Sequence, residues 1–427
     1  MKVAVVVQRY GADINGGAEL HARYIAERLA RRIEVEVFTT CARDYITWKN
    51  ELPPGPAEVN RVHVHRFPVS TPRRPDHFGR LSHLVFDRRH SVADELRWLA
   101  SEGPTSPALI AHLRKVQAEF DFFIFFSYRY YHAWHGARAV PDKAILVPTA
   151  ERDPALGVSI FGPVLAGARA IMYNSLEERA IIEHVSRREG PSIVVGVGSE
   201  IPTRTDPRRV RRTYNVRRPF VLYIGRVDEN KGCVELFDLF QRYAATDPRG
   251  LDLLLVGSHV LEIPKHPRIR HLGFLSDADK FDVLAAADVL VMPSRYESLS
   301  MVVIEAWALG KPVLVNGRCD VLRGQVVRSR GGLYYENAEE FAECLYTLEG
   351  TGPLGGLLGA NGREYFRQHY TWPVIERKYL EMLDRLSREK AGSPMPALPG
   401  WLARRRRDLE PARTIVDAAP SGPVVRR

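Results

Sequence analysis

A chain of 427 residues is long enough for two or three domains of ordinary size, each with its own core. With 26% charged and 45% hydrophobic residues the composition is globular, and the longest apolar runs, such as 122–126, are too short to cross a bilayer, so no transmembrane helix is predicted. The formal net charge of +10 is concentrated in arginine clusters at 73–74, 88–89, 204–218 and 404–407; lacking any helix-turn-helix, zinc-finger or RNA-binding aromatic pattern, it argues against nucleic acid and suits diphosphates, phosphorylated acceptors or anionic lipid headgroups.

Residues 3–7 are apolar but meet Gln8-Arg9 too soon for a signal-peptide core, so they read as a buried first strand of a cytoplasmic protein. An amphipathic helix over 18–30 and a strand over 35–39 complete a βαβ unit. Cys41, Cys233, Cys319 and Cys344 have neither metal-ligand nor redox spacing, which predicts reduced thiols with no disulfide and no zinc. Short apolar strands over 62–67, 122–126, 145–147, 170–173 and 193–197 extend the pattern to a parallel-sheet, Rossmann-like domain over 1–198. Helical stretches with Gly-Pro and Ser-Pro breaks, between 73 and 118, read as an insertion over the sheet facing the cleft. A Pro- and Arg-rich interdomain connection is predicted over 199–218. A second βα series, with strands over 220–224, 253–256, 269–273, 289–292 and 313–315, predicts a second Rossmann-like domain over 219–370. Residues 337–349 and 372–386 have helical periodicity, whereas the basic tail within 389–427 has no apolar period from Pro394 onward and is expected to be disordered.

Two carboxylates stand out in the second domain. Glu297 and Glu305 lie eight residues apart, after the strand over 289–292, with Glu305 on an apolar helix over about 300–309. The N–H groups of Leu299, Ser300 and Met301 at that helix start would meet a phosphate at the carboxyl edge of the sheet. At about 1.5 Å per residue the two carboxylates fall within roughly 12 Å, the span from a hexose to a ribose across a diphosphate. Arg226 and Lys231, in Gly225-Arg226 and Lys231-Gly232 after the strand over 220–224, reach the same edge and would neutralise a departing diphosphate. Gly16 and Gly17 would bring backbone N–H groups to a phosphate from the first domain. There is no G-x-G-x-x-G and no acid after the second strand, which argues against a dinucleotide. Asp277-Ala278-Asp279 spells the acid pair of metal-dependent transferases, but Ser276 three residues before Asp279 makes a helix cap, so no metal is predicted.

Together with Gly310-Lys311-Pro312-Val313 and Gly16-Gly17-Ala18-Glu19, these residues resemble the retaining glycosyltransferases of family 4, over about residues 1–388. The resemblance implies an α/β GT-B fold: two Rossmann-like domains facing a central cleft, with a helix over 371–388 crossing back to the first. It implies a nucleotide diphosphate sugar as donor, UDP being favoured over GDP or ADP, and no cofactor. By the same resemblance Glu297 contacts the transferred sugar, Glu305 the ribose, and Arg226 with Lys231 the diphosphate.

One departure matters. Where many relatives have a histidine after a Pro-Thr strand end, this chain reads Pro148-Thr149-Ala150-Glu151, so either Glu151 takes over positioning or the acceptor chemistry differs. Tyr128 and His132, with His135, follow the strand over 122–126 and are candidates for the acceptor site. The expected activity is hexose transfer to a glycan, lipid-linked or small-molecule acceptor, with contact to an anionic membrane at most peripheral. The alternatives are a sugar-nucleotide 2-epimerase of the same architecture and a catalytically silent carbohydrate-binding protein; the presence of Arg226, Lys231, Glu297 and Glu305 disfavours the second.

Overall fold

The computed structural model describes residues 1–14, 16–247, 250–348, 353–391 and 395–398, with Thr414, Asp417 and Ala418. In the first domain the strands are β1 (Lys2–Val6), β2 (Glu34–Thr40), β3 (Gly55–Val59), β4 (Val62–Phe67), β5 (Phe122–Phe126), β6 (Ala144–Val147), β7 (Ala170–Tyr173) and β8 (Ser192–Val194). They form one sheet in the order β3-β4-β2-β1-β5-β6-β7-β8. Alternate side chains feed two cores: Val3, Val5 and Ile124 pack with the helix Gly17–Leu29, while Ala4, Val6 and Phe125 pack with the helices Val92–Glu102 and Pro107–Val116. Burial on both faces is why these strands read as continuous apolar runs. The edge strand β3, antiparallel to β4, escapes the pattern because it is polar and holds Pro56, which an edge tolerates.

The second domain contains β9 (Phe220–Ile224), β10 (Asp252–Val256), β11 (Ile269–His271), β12 (Val289–Met292), β13 (Val313–Asn316) and β14 (Gly332–Tyr335). Their order, β11-β10-β9-β12-β13-β14, is that of a doubly wound dinucleotide fold. The order reverses between β9 and β12, so the crevice lies at the carboxyl ends of the two strands that precede Arg226 and Glu297.

The connection is not a bare linker over 199–218. Asp206 accepts hydrogen bonds from the N–H groups of Arg208 and Arg209, each at 3.1 Å, and starts the helix Pro207–Thr213. Arg209 donates to Asp282 at 2.8 Å, fixing that helix on Asp277–Ala286 of the second domain. The chain passes between the domains twice, over 196–199 and 370–372, and the two passages touch. A Cβ at Gly196 would come within 2.8 Å of Tyr370, and one at Gly198 within 2.8 Å of Trp372. The helix Trp372–Arg388 then lies on the first domain, with Ile375, Tyr379, Leu383 and Leu386 buried in the same core as β1.

Part of the tail is placed otherwise than expected. Met395 and Leu398 pack against the first-domain core, and Met395 lies beside Gly167. The expectation for residues 399–427 falls outside the described residues, apart from the three named above. Among the described residues no helix is long and apolar enough to cross a membrane, and all four cysteines are free thiols.

Candidate active site

The loop after β9 is shaped by Asp228. Its carboxylate caps the turn Glu229–Lys231, accepting from the Lys231 N–H at 3.2 Å, and also pairs with the Arg226 guanidinium. Gly232 follows with φ 76°, and a Cβ there would lie 2.3 Å from the carbonyl oxygen of Pro293. Glycine thus lets the Lys231 loop lie directly against the loop that carries Glu297.

Across that seam Lys231 Nζ lies 2.7 Å from Glu297 Oε1. Burial opposes the Lys231 charge, but Glu297 and then Glu151 outweigh it and raise the ammonium above its ordinary value. Glu151 belongs to the first domain, so the field of this cluster spans the cleft. Burial, with repulsion from Glu297, pushes Glu151 up to about 7, while Lys231 pulls the other way. Arg226 stands apart from this cluster. Its guanidinium lies over the ring of Tyr45, a first-domain residue, 5.1 Å from the centroid.

Glu305 is buried, and its Oε1 accepts from Ser199 Oγ at 2.7 Å and Lys280 Nζ at 3.1 Å. Its Oε2 is buried with no hydrogen-bond partner, an acceptor in want of a donor. The helix carrying it is Met301–Ala308, and Ser300 before it takes the left-handed conformation, φ 69°. Leu299 is buried and its carbonyl accepts from Gln325 Nε2 at 2.6 Å. Gly16 and Gly17 open the helix Gly17–Leu29 at the carboxyl edge of the first sheet, where Glu19 is held by Arg9 at 2.7 Å.

The acceptor candidates are corrected by their burial. His132 is fully inaccessible, its Nε2 is 2.9 Å from the Phe126 carbonyl oxygen, and burial lowers it to about 4. Tyr128 is likewise buried, packed edge-on against Phe161 with ring centroids 4.9 Å apart. Tyr128 packs in the first-domain core, and His135 lies beside the rings of Tyr131 and Trp134.

Several participants escape the sequence reading. Tyr45 and Ser199 carry no local signal, whereas Asp228 stands two residues from Arg226 and Glu178 completes a Ser-x-x-Glu pattern with Ser175. Asp279 sits at the capped start of its helix: its N–H donates to Ser276 Oγ at 3.1 Å, and its carboxylate pairs with Arg209 at 2.6 Å. Among the described residues no three His, Cys, Asp or Glu side chains are grouped as metal ligands.

Residues 218–349 match the family model of the glycosyl transferases group 1. The D-inositol 3-phosphate glycosyltransferase of Geodermatophilus obscurus is 24% identical over 92% of this chain and 90% of its own length. Mannosylfructose-phosphate synthase of Agrobacterium fabrum is 26% identical, over 41% of this chain and only 42% of that protein. The crystal structure of HepE from Anabaena in complex with UDP-glucose superposes with a TM-score of 0.66 at 18% identity, covering 90% of this chain and 100% of that one. That likeness shows the fold, two Rossmann-like domains in the GT-B arrangement.

Proposed function

We propose that the chain is a glycosyltransferase of the group 1, family-4 type, which moves a hexose from a nucleotide diphosphate sugar to an acceptor hydroxyl with retention of configuration. The observation that carries the proposal is the meeting of Lys231 and Glu297 at 2.7 Å on the carboxyl edge of the second sheet, within the field of Glu151 from the first. Lys231 and Arg226 stabilise the departing diphosphate, Glu297 accepts hydrogen bonds from the sugar hydroxyls, and the free Oε2 of Glu305 accepts one from the ribose. The acceptor oxygen bonds to the anomeric carbon on the face from which the diphosphate oxygen departs, and that oxygen takes the acceptor's proton. No protein nucleophile is required.

UDP is the favoured nucleotide, in keeping with the UDP-glucose bound by the HepE structure. The acceptor is a glycan, a lipid-linked saccharide or a small molecule. A cytoplasmic location, with at most peripheral contact to an anionic membrane through the arginine clusters, accords with four free thiols.

A thermal-shift panel of UDP-glucose, GDP-mannose and ADP-glucose tests the donor, because a ligand that binds the folded state raises the melting temperature by mass action. One member should raise it and be turned over to an α-linked product. A product of inverted configuration overturns retention; interconversion of the donor sugar without an acceptor identifies a 2-epimerase instead; no shift with any sugar nucleotide overturns the proposal.

A further inference from the structure

Thr149 and Ser127, the second residue past the end of β6 and the first past the end of β5, both take left-handed conformations, with φ 51° and 64°. Such a conformation is strained for a non-glycine residue and persists only where its surroundings over-determine it. Thr149 Oγ1 donates to Ser127 Oγ at 3.0 Å, which joins the two turns from one side. From the other, the N–H of Ala150 donates to Glu178 Oε1 at 2.5 Å. Ala150 immediately precedes Glu151.

Glu178 lies in the first turn of the helix Leu176–Ser186, where Ser175 Oγ accepts from its N–H at 3.1 Å. A glutamate at this position usually turns back to the capping residue and no further. Here the carboxylate reaches Ala150, 28 residues earlier, through Oε1, and takes the N–H of Asn174 through Oε2 at 2.5 Å. Asn174 in turn extends Nδ2 to within 3.5 Å of Ser298 Oγ, beside Glu297. Glu178 is wholly inaccessible, so it touches no substrate. Burial pushes it up to about 8, although the backbone N–H groups of Asn174 and Ala150 pull it down.

We infer that Glu178 is a positioning residue for the transfer: one buried carboxylate fixes the turn that presents Glu151 and the residue that meets the Glu297 loop across the cleft. This rests on the proposed activity only for its kinetic consequence; the structural link stands by itself. A cap alone would account for the bond to the start of its own helix, but not for the bond to Ala150.

The test is Glu178→Gln, whose amide group must face one backbone donor with another and so release one of the two turns. The donor is the sugar nucleotide selected by the panel above, UDP-glucose by default. The expected result is a loss of kcat of about tenfold or more with free UDP affinity unchanged, and little further loss when Glu178→Gln is added to Glu151→Gln, as for residues that act as a unit. Losses that multiply, or an unchanged kcat per folded molecule, overturn the inference. Thr149→Gly, which loosens the same turn from its opposite side, should give the same kinetic signature and serves if Glu178→Gln does not fold. Amide hydrogen exchange over 148–153 gives a readout free of turnover: it should rise in either variant while β5 and β6 stay protected. If wild-type protein turns over no sugar nucleotide, the proposed activity is wrong, yet unchanged exchange over 148–153 alone refutes the positioning role.

Discussion

Lys231 and Glu297 are 66 residues apart in sequence and 2.7 Å apart in space. Lys231 also offsets the charge of Glu151, so one ammonium serves two carboxylates. Lys231→Met should lower stability by about 1–3 kcal/mol, less than a fully buried pair would lose because the ammonium is partly exposed. It should also lower turnover by about 10²–10³-fold through loss of a diphosphate donor. Adding Glu297→Gln should restore part of the stability and none of the turnover. Melting curves and steady-state kinetics on the two single variants and the double variant measure both effects; equal stability losses that simply add would show that the pair is not coupled.

The two glutamates of the second domain should separate by ligand. Glu305 has a free, buried Oε2 beside the interdomain connection, whereas Glu297 is bound to Lys231. Glu305→Gln is expected to weaken binding of bare UDP by roughly 1–3 kcal/mol, the cost of a lost charged hydrogen bond to a ribose hydroxyl. Glu297→Gln should leave bare UDP almost unaffected and lower kcat. Calorimetric titration with UDP decides, and equal losses in the two variants would reverse the assignment.

Glu151 should make stability depend on pH in a definite sense. Its carboxyl sits at about 7 in the folded protein against an ordinary 4.5. Between these values the folded protein holds a proton that the unfolded chain has released, so its contribution is fully present below about 4.5 and is lost as pH rises through 7. Glu151→Gln removes that titration and should therefore gain in melting temperature relative to wild type between pH 5 and pH 8. A difference in melting temperature that stays constant across this range would place the Glu151 carboxyl at its ordinary value.

Turnover should survive chelation. Two cations, Arg226 and Lys231, are the groups proposed to face the diphosphate, and Asp277-Ala278-Asp279 is committed to a helix start, with Asp279 paired to Arg209. Loss of activity in EDTA that Mg²⁺ or Mn²⁺ restores would contradict this.

His132→Phe should cost stability and leave the acceptor KM unchanged, since the imidazole is sealed from solvent. Measuring acceptor saturation curves for this variant checks the correction to the sequence-based site.

The meeting of the Lys231 and Glu297 loops was legible in the sequence because parallel strands buried on both faces announce themselves and the loops that follow them must lie at one edge; Arg226, Lys231, Glu297 and Glu305 needed only their place after β9 and β12. The acceptor side was not, because which histidine is covered depends on Phe126 and on the helix packing around it, and helix period alone does not say so. The helix Pro353–His369 was hidden for a related reason. Its glycines at 355, 356, 359 and 362 lower helix propensity, yet a Cβ at Gly362 would come within 2.1 Å of Trp307, so tertiary contact demands what local preference opposes. The links from Glu178 to Ala150 and from Arg226 to Tyr45 join distant segments and have no local signature.

The contact of Gly196 with Tyr370 and of Gly198 with Trp372 has a mechanical consequence. Two covalent crossings side by side constrain the halves as adjacent pins constrain a door, favouring rotation about the line through both over twist or sliding, while the Arg328–Glu177 ion pair ties the halves away from that line. Because Ser199 at the end of the first crossing holds Glu305, the door's edge is fastened to the residue proposed to grip the ribose, and a nucleotide that pulls on Glu305 pulls next to the axis, where a small displacement swings the far rim of the cleft the most.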